Sequence, residues 1–246
     1  MLLRRVIEHL KDQNWFAVAL DLVVVVVGIF LAFQVERWYS EQLLQSSQVD
    51  HLEALAVDLE ASRLSLQRDI GLHQDAIKAS LALLTASPDA ETRMTGEEFY
   101  DLMRRVQYMG NWSPQSRAYD VLVSSGQIDV IEDDKLKSDL ASYYALAARA
   151  ETRRNEMILQ RVMIFEPYIN RNLDHTAMVM KVHPNISETI TSSLPSNQFL
   201  EVLGTQEFEG VITTKMHGSY DASAYLGRLL GLNLQIERTL ARHLKQ

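Results

Sequence analysis

Residues 15–33 read WFAVALDLVVVVVGIFLAF, eighteen uncharged residues around one carboxylate, Asp21. Nineteen residues at about 1.5 Å rise each give roughly 28 Å of helix, close to the ~30 Å hydrocarbon thickness of a bilayer. A secretory signal has a shorter apolar stretch and a small-x-small cleavage site. Here the stretch runs into AFQVERWYSEQ, residues 32–42, which offers no such site. A buried soluble helix this apolar needs a much larger protein around it than 246 residues supply. The segment therefore reads as a transmembrane helix over 15–38.

Its flanks fit that reading. Trp15 and Phe16 at one end, and Trp38 and Tyr39 at the other, have the placing of interfacial aromatic anchors. Arg4, Arg5 and Lys11 precede the span, and Arg37 alone follows closely. The positive-inside rule then puts the N-terminus in the cytoplasm and residues 39–246 outside it, in the periplasm of a Gram-negative host. Residues 1–14 set Leu3, Val6, Ile7 and Leu10 on one helical face, as in a short interfacial amphipathic helix on the cytoplasmic side. A frayed basic tail is the alternative.

At 100° per residue, Val25, Gly28 and Ala32 fall within about 40° of Asp21. One face thus joins a carboxylate to a pair of small residues, which suits close approach of a second helix and a hydrogen bond across it. Asp21, Val25, Gly28 and Ala32 are the candidate interface, with another copy or with a partner membrane protein. The other reading is that Asp21, about 9 Å in from Trp15, is hydrated near the headgroups.

Beyond the span the pattern is helical. Leu52, Leu55, Leu59, Leu66, Ile70, Ile77, Leu81 and Leu84 recur at 3–4 spacing, so 39–84 reads as a long stalk-like helix. Thr95 with Glu98 makes a capping box, opening a helix to about Met109. Ser113-Pro114 reads as the start of another, ending at Ser124-Ser125-Gly126. Acids in IEDDKLKSDL open a long helix whose face carries Leu136, Leu140, Tyr143 and Ala147, continued by Ile158, Val162, Phe165 and Ile169. Residues 175–187 look irregular, with a short strand over Met178–Val182. A last helical region spans 197–244, broken near Gly204-Thr205, with Phe208, Ile212, Leu226, Leu229, Ile236, Leu240 and Leu244 on its face. The fold class expected is all-α, a membrane helix continuing into an extracytoplasmic antiparallel bundle of four to six helices.

Composition narrows the chemistry. The net charge is −8 and the basic residues are dispersed, which argues against nucleic acid as a partner. With no cysteine there are no disulfides and no thiolate metal site. Ten glycines and five prolines are few breakers for 246 residues, as long helices require. The seven histidines form no HExxH and no Glu-x-x-His, so neither a zincin nor a di-iron bundle is supported. His175 and His183 bracket the irregular segment and leave a two-ligand site open. Asp129, Glu132, Asp133 and Asp134 lack the alternation of a calcium loop and read as a dipole-matched helix start. No cofactor, metal site or catalytic residue is assigned.

Three segments carry a resemblance: LDLVVVVVGIFLAFQVERWYSEQ (20–42), AYDVLVSSGQIDVIEDDKLKSDLASYY (118–144) and FLEVLGTQEFEGVI (199–212). Together they resemble a Gram-negative bacterial family of single-span membrane proteins of unknown function. Asp21, Gly28, Ile29, Ala32, Gln34 and Trp38 match its N-terminal pattern, and Tyr119, Leu122, Ser125 and Gly126 its second. The family often has Glu where Asp21 stands and Asn where Tyr39 stands. The resemblance implies an all-helical, membrane-anchored protein and no particular activity. It also implies that an acid at position 21 is a family habit.

The expectation is thus a non-enzymatic, single-pass protein of the bacterial inner membrane. It is an accessory or scaffold subunit, contacting lipid and either its own copies or a partner membrane protein. The alternative is a ligand-sensing periplasmic helical domain that signals through such a partner. An enzyme, with His175 and His183 on a metal, is a third class without positive support.

Overall fold

The structure is a computed structural model and describes residues 15–86, 94–182 and 198–245, so the expected helix over 1–14 lies outside the described residues. All regular structure among them is helical. Seven α-helices are described: α1 (Trp15–Leu84), α2 (Gly96–Val106), α3 (Arg117–Ser124), α4 (Asp134–Gln160), α5 (Glu166–Asn172), α6 (His175–Val182) and α7 (Gln206–His243). A π-helical turn, Arg161–Phe165, joins α4 to α5, and 3-10 turns lie at Gln127–Val130 and Gln198–Glu201. The chain divides into two compact units, Met1–His51 and Leu52–Gln246.

In the first unit α1 exposes large apolar side chains over most of Leu20 to Val35. Leu22 (65% exposed) and Val27 (49%) bracket most of a series of exposed side chains from Leu20 to Val35. Among the described residues no helix is long and apolar enough to cross a membrane. The side chains of Trp15–Ala19, Asp21 and Tyr39 lie outside the described residues.

The second unit is built on three heptad seams. On α1, Leu52, Leu55, Leu59, Ser62, Leu66, Asp69, His73, Ala76, Ser80 and Leu83 alternate in steps of three and four, and all are buried. On α7 the same alternation runs through Phe208, Ile212, Lys215, Ser219, Leu226, Leu229, Asn233, Ile236 and Leu240. On α4 it runs through Leu136, Leu140, Tyr143, Ala147 and Met157. A 3.5-residue period keeps one stripe facing the partner helices, as in a coiled coil. Tyr225 OH donates to Leu146 O at 2.8 Å and Gln235 Nε2 to Asp139 Oδ2 at 2.8 Å, so α7 runs antiparallel to α4. Against α1 it is antiparallel too, with Phe208 and Ile212 clustering with Ala79 and Leu83. At the other end Leu229, Ile236 and Leu240 cluster with Leu52, Leu55 and Leu59.

Local chemistry sets most boundaries. The Thr95–Glu98 capping box is present in full. Asp133 Oδ1 accepts from Leu136 N at 3.0 Å to open α4, and Thr205 Oγ1 from Phe208 N at 3.3 Å to open α7. Gly126 and Gly204 hold the positive φ angles (71° and 75°) that end helical runs.

Several expectations are corrected. Helix α3 begins at Arg117, not at Ser113-Pro114, because residues 108–116 are drawn out along α1. Gln115 N donates to Ser62 Oγ (2.9 Å), and Ala118 N to Asp58 Oδ2 (2.8 Å), so the cap of α3 comes from another helix. Residues 178–182 are helical, not a strand, since Asp174 Oδ1 caps α6 by accepting from Ala177 N at 3.0 Å. Ile158 and Val162 are exposed, while Met157, Phe165 and Ile169 are buried. The π-turn explains the shift: one α-turn plus one wider π-turn takes about eight residues, which stacks Phe165 over Met157. On α1, Leu81 is exposed, and Ala76, Ser80 and Leu83 take the core positions.

Candidate functional site

Two polar levels interrupt the apolar seams. In the first, Asn233 Nδ2 donates to Leu59 O (3.1 Å) and to Tyr143 OH (3.4 Å), and Trp112 Nε1 donates to Ser62 O (3.3 Å). Trp112 and Tyr143 belong to the surrounding apolar cluster, so these hydrogen bonds satisfy polar groups within the core.

The second level is richer. It collects Asp69 and His73 from α1, the segment Tyr108–Asn111, Arg154 from α4, Arg161 from the π-turn, and Lys215 and Ser219 from α7. The Asp69 carboxylate is the hub. Its Oδ1 accepts from the Tyr108 hydroxyl in a short contact and from Asn111 N at 3.0 Å. Its Oδ2 stands 3.8 Å from His73 Nε2, an ionic distance rather than a hydrogen bond. Gly110 closes over this pair at φ 84°, where a Cβ would sit 3.1 Å from His73 Nε2 and 3.3 Å from Asp69 Oδ2. The Tyr108 ring meets the imidazole edge-on at 4.9 Å.

Burial governs the titration here. His73 is 1% exposed. Desolvation pulls its pKa down to about 4, with Asp69 opposing and Lys215 assisting. Lys215 is 4% exposed. Its ammonium sits 5.6 Å over the Phe165 ring, and desolvation, then the Arg161 charge, bring its pKa down to about 8. Burial and the Asp69 hydrogen bond hold the Tyr108 phenol well above its usual range.

Two concavities flank this level. A cleft of ≈ 870 Å³ is bordered by Asp75, Asp101, Arg104, Arg105, Tyr108 and Arg161, among others. Asp101 bridges both Arg104 and Arg105 in it. Behind the Met109–Gly110 wall lies a small recess with ≈ 30 Å³ of room for the centres of water-sized molecules. His73, Arg153, Arg154, Met157, Trp112 and Tyr225 are among the residues that line it.

Of the residues singled out by sequence, Val25, Gly28, Ala32 and Trp38 are exposed, with open space where a Gly28 Cβ would point. The side chains of Asp21, Trp15, Phe16 and Tyr39 lie outside the described residues, as does His183. His175 is half-buried at the start of α6. Of the four acids 129–134, Asp133 caps α4 and pairs with His243 at 3.0 Å, while Asp129 and Asp134 pair with Lys137. Among the described residues no three histidines or carboxylates converge as a metal site.

The second polar level was missed from sequence. Its signal was available: Asp69 and His73 on α1, and Lys215 and Ser219 on α7, occupy seam positions where the period calls for apolar residues. Compared with known proteins, the chain matches no family model, no curated protein and no solved structure.

Proposed function

We propose that this chain is a single-pass protein of the bacterial inner membrane. Its N-terminus is cytoplasmic and its helical bundle periplasmic, and it serves as an accessory or scaffold subunit. The observation that carries the reading is the exposure of large apolar side chains on every face of α1 from Leu20 to Val35. Such a surface is costly in water and ordinary in lipid. With residues 15–19 included, the apolar stretch reaches the length a bilayer demands. The cation asymmetry around it supports the orientation, and the resemblance to a single-span family supports the anchoring. Asp21, Gly28 and Ala32 are the face through which the helix meets a second copy or a partner membrane protein, with Trp15, Phe16, Trp38 and Tyr39 as interfacial anchors.

A second reading is a ligand-sensing domain that signals through such a partner. The large cleft beside Tyr108 favours it.

The test is extraction of the native membrane fraction in mild detergent, with the mass and co-purifying proteins identified. A carbonate-resistant membrane protein whose bundle is cut by protease in spheroplasts is expected. Gly28→Leu is expected to lower the mass of its complex. Recovery in the soluble fraction refutes the membrane reading, and an unchanged mass for both Gly28→Leu and Asp21→Leu refutes the interface.

A further inference from the structure

The outer cleft and the inner recess share one thin wall, since Met109 and Gly110 border both. The wall belongs to residues 107–111, which lie outside the helices between two fixed points. On one side Met103 and Val106 of α2 are buried in the core. On the other, Trp112 is buried and donates Nε1–H to Ser62 O at 3.3 Å, and Gln115 N donates to Ser62 Oγ at 2.9 Å. Between these points Gln107, Tyr108, Met109 and Gly110 are half-buried and Asn111 is exposed.

Asp69 holds the stretch from both sides of Gly110. Its Oδ1 accepts from the Tyr108 hydroxyl and, at 3.0 Å, from Asn111 N. Arg161 Nη1 adds a weak donor contact to Met109 Sδ at 3.8 Å. Gly110, at φ 84°, is the residue freest to change its dihedral angles. One term opposes the latch. His73 Nδ1 is buried without a hydrogen-bond partner while the wall is closed. An unsatisfied buried nitrogen is costly, and water reaching it removes that cost.

We propose that residues 107–111 form a flap, hinged at Gly110 and latched by the Asp69 carboxylate, whose opening joins the recess to the outer cleft and admits water to His73. The imidazole couples this flap to pH. Around it stand Asp69 of α1, Tyr108 of the flap, Arg153 and Arg154 of α4 beside the recess, and Lys215 of α7. Desolvation holds His73 at a pKa of about 4 in the closed form, with Asp69 opposing and Lys215 assisting. Hydration returns it toward the ordinary ~6.5. Between those values the open form binds the proton and the closed form does not, so acid favours opening. The inference stands on Leu52–Gln246 alone and holds under either reading of the membrane segment.

The test is amide hydrogen exchange of the full-length protein in detergent, corrected for intrinsic exchange rates and read by mass spectrometry over 107–112, with 55–66 of α1 as the internal reference. Tyr108→Phe deletes one latch contact and is expected to lower protection of the flap about fivefold or more at pH 7.5, with 55–66 unchanged. Lowering the pH of the wild-type protein from 7.5 to 5 is expected to lower flap protection about tenfold or more, and His73→Gln is expected to abolish that response. Should Tyr108→Phe not fold, the wild-type pH series still decides: protection over 107–112 that does not fall toward pH 5 overturns the proposal. So does flap protection unchanged in a folded Tyr108→Phe, a loss shared equally by 55–66, or a pH response that persists in His73→Gln.

Discussion

Replacing Gly110 by alanine tests the closure of the Met109–Gly110 wall over His73 and Asp69. Two costs add. At φ 84° an L-residue sits in the left-handed region, which costs about 1–2 kcal/mol, less a few tenths recovered because alanine restricts the unfolded chain. The new Cβ then stands 3.1 Å from His73 Nε2 and 3.3 Å from Asp69 Oδ2. Both side chains are held, one by burial and the other by Tyr108 and Asn111, so relief demands an off-rotamer shift of about 1 kcal/mol. The sum is about 2 kcal/mol. Gly126 is the matched control: its φ is 71°, but nothing lies within 4 Å of where a Cβ would stand, so Gly126→Ala carries the backbone cost alone. Urea denaturation of the detergent-solubilised protein, followed by far-UV circular dichroism, reads both. Gly110→Ala is expected to lose about 1 kcal/mol more than Gly126→Ala, a further Tm drop of roughly 2–4 °C. That excess is expected to shrink in a His73→Ala background, where the 3.1 Å contact is gone and the one to Asp69 remains. Equal costs for the two glycines, or an excess undiminished by His73→Ala, refute the closure.

Other perturbations address the same core. Asp69→Ala strips the acceptor from the Tyr108 hydroxyl and from Asn111 N, and is expected to cost about 3 kcal/mol in urea denaturation. His73 contributes to pH dependence with a defined sign. Its folded pKa of about 4 lies below the ordinary ~6.5, so the unfolded chain binds more protons between those values. Stability is therefore complete above about pH 6.5 and falls by roughly 3 kcal/mol as pH drops to 4, while His73→Gln flattens that slope in pH-dependent denaturation. Phe208 is fully buried and stacks at 6.0 Å on Phe99, so Phe208→Ala is expected to cost about 3–5 kcal/mol at equilibrium.

The sequence by itself determined the helices that close on local chemistry. The capping box at Thr95–Glu98, Asp133 before α4, Gly126 after α3 and Thr205 before α7 act through atoms three or four residues apart, so their spacing is written in the chain. The core stripes of α4 up to Ala147 and of most of α7 were legible for the same reason, since a helix turns at a fixed rate.

Only tertiary structure decided what depends on distant partners. Helix α3 starts at Arg117 because Asp58, sixty residues away in sequence, caps it. The π-turn at 161–165 moved the α4 stripe from Ile158 and Val162 to Met157 and Phe165, which no constant period anticipates. The candidate site was hidden by its own chemistry. Asp69, His73, Lys215 and Ser219 look like a solvated face until three heptad seams carry them inside. There Tyr108 and Asn111, about forty residues from Asp69, complete the contacts that make the burial of its carboxylate tolerable.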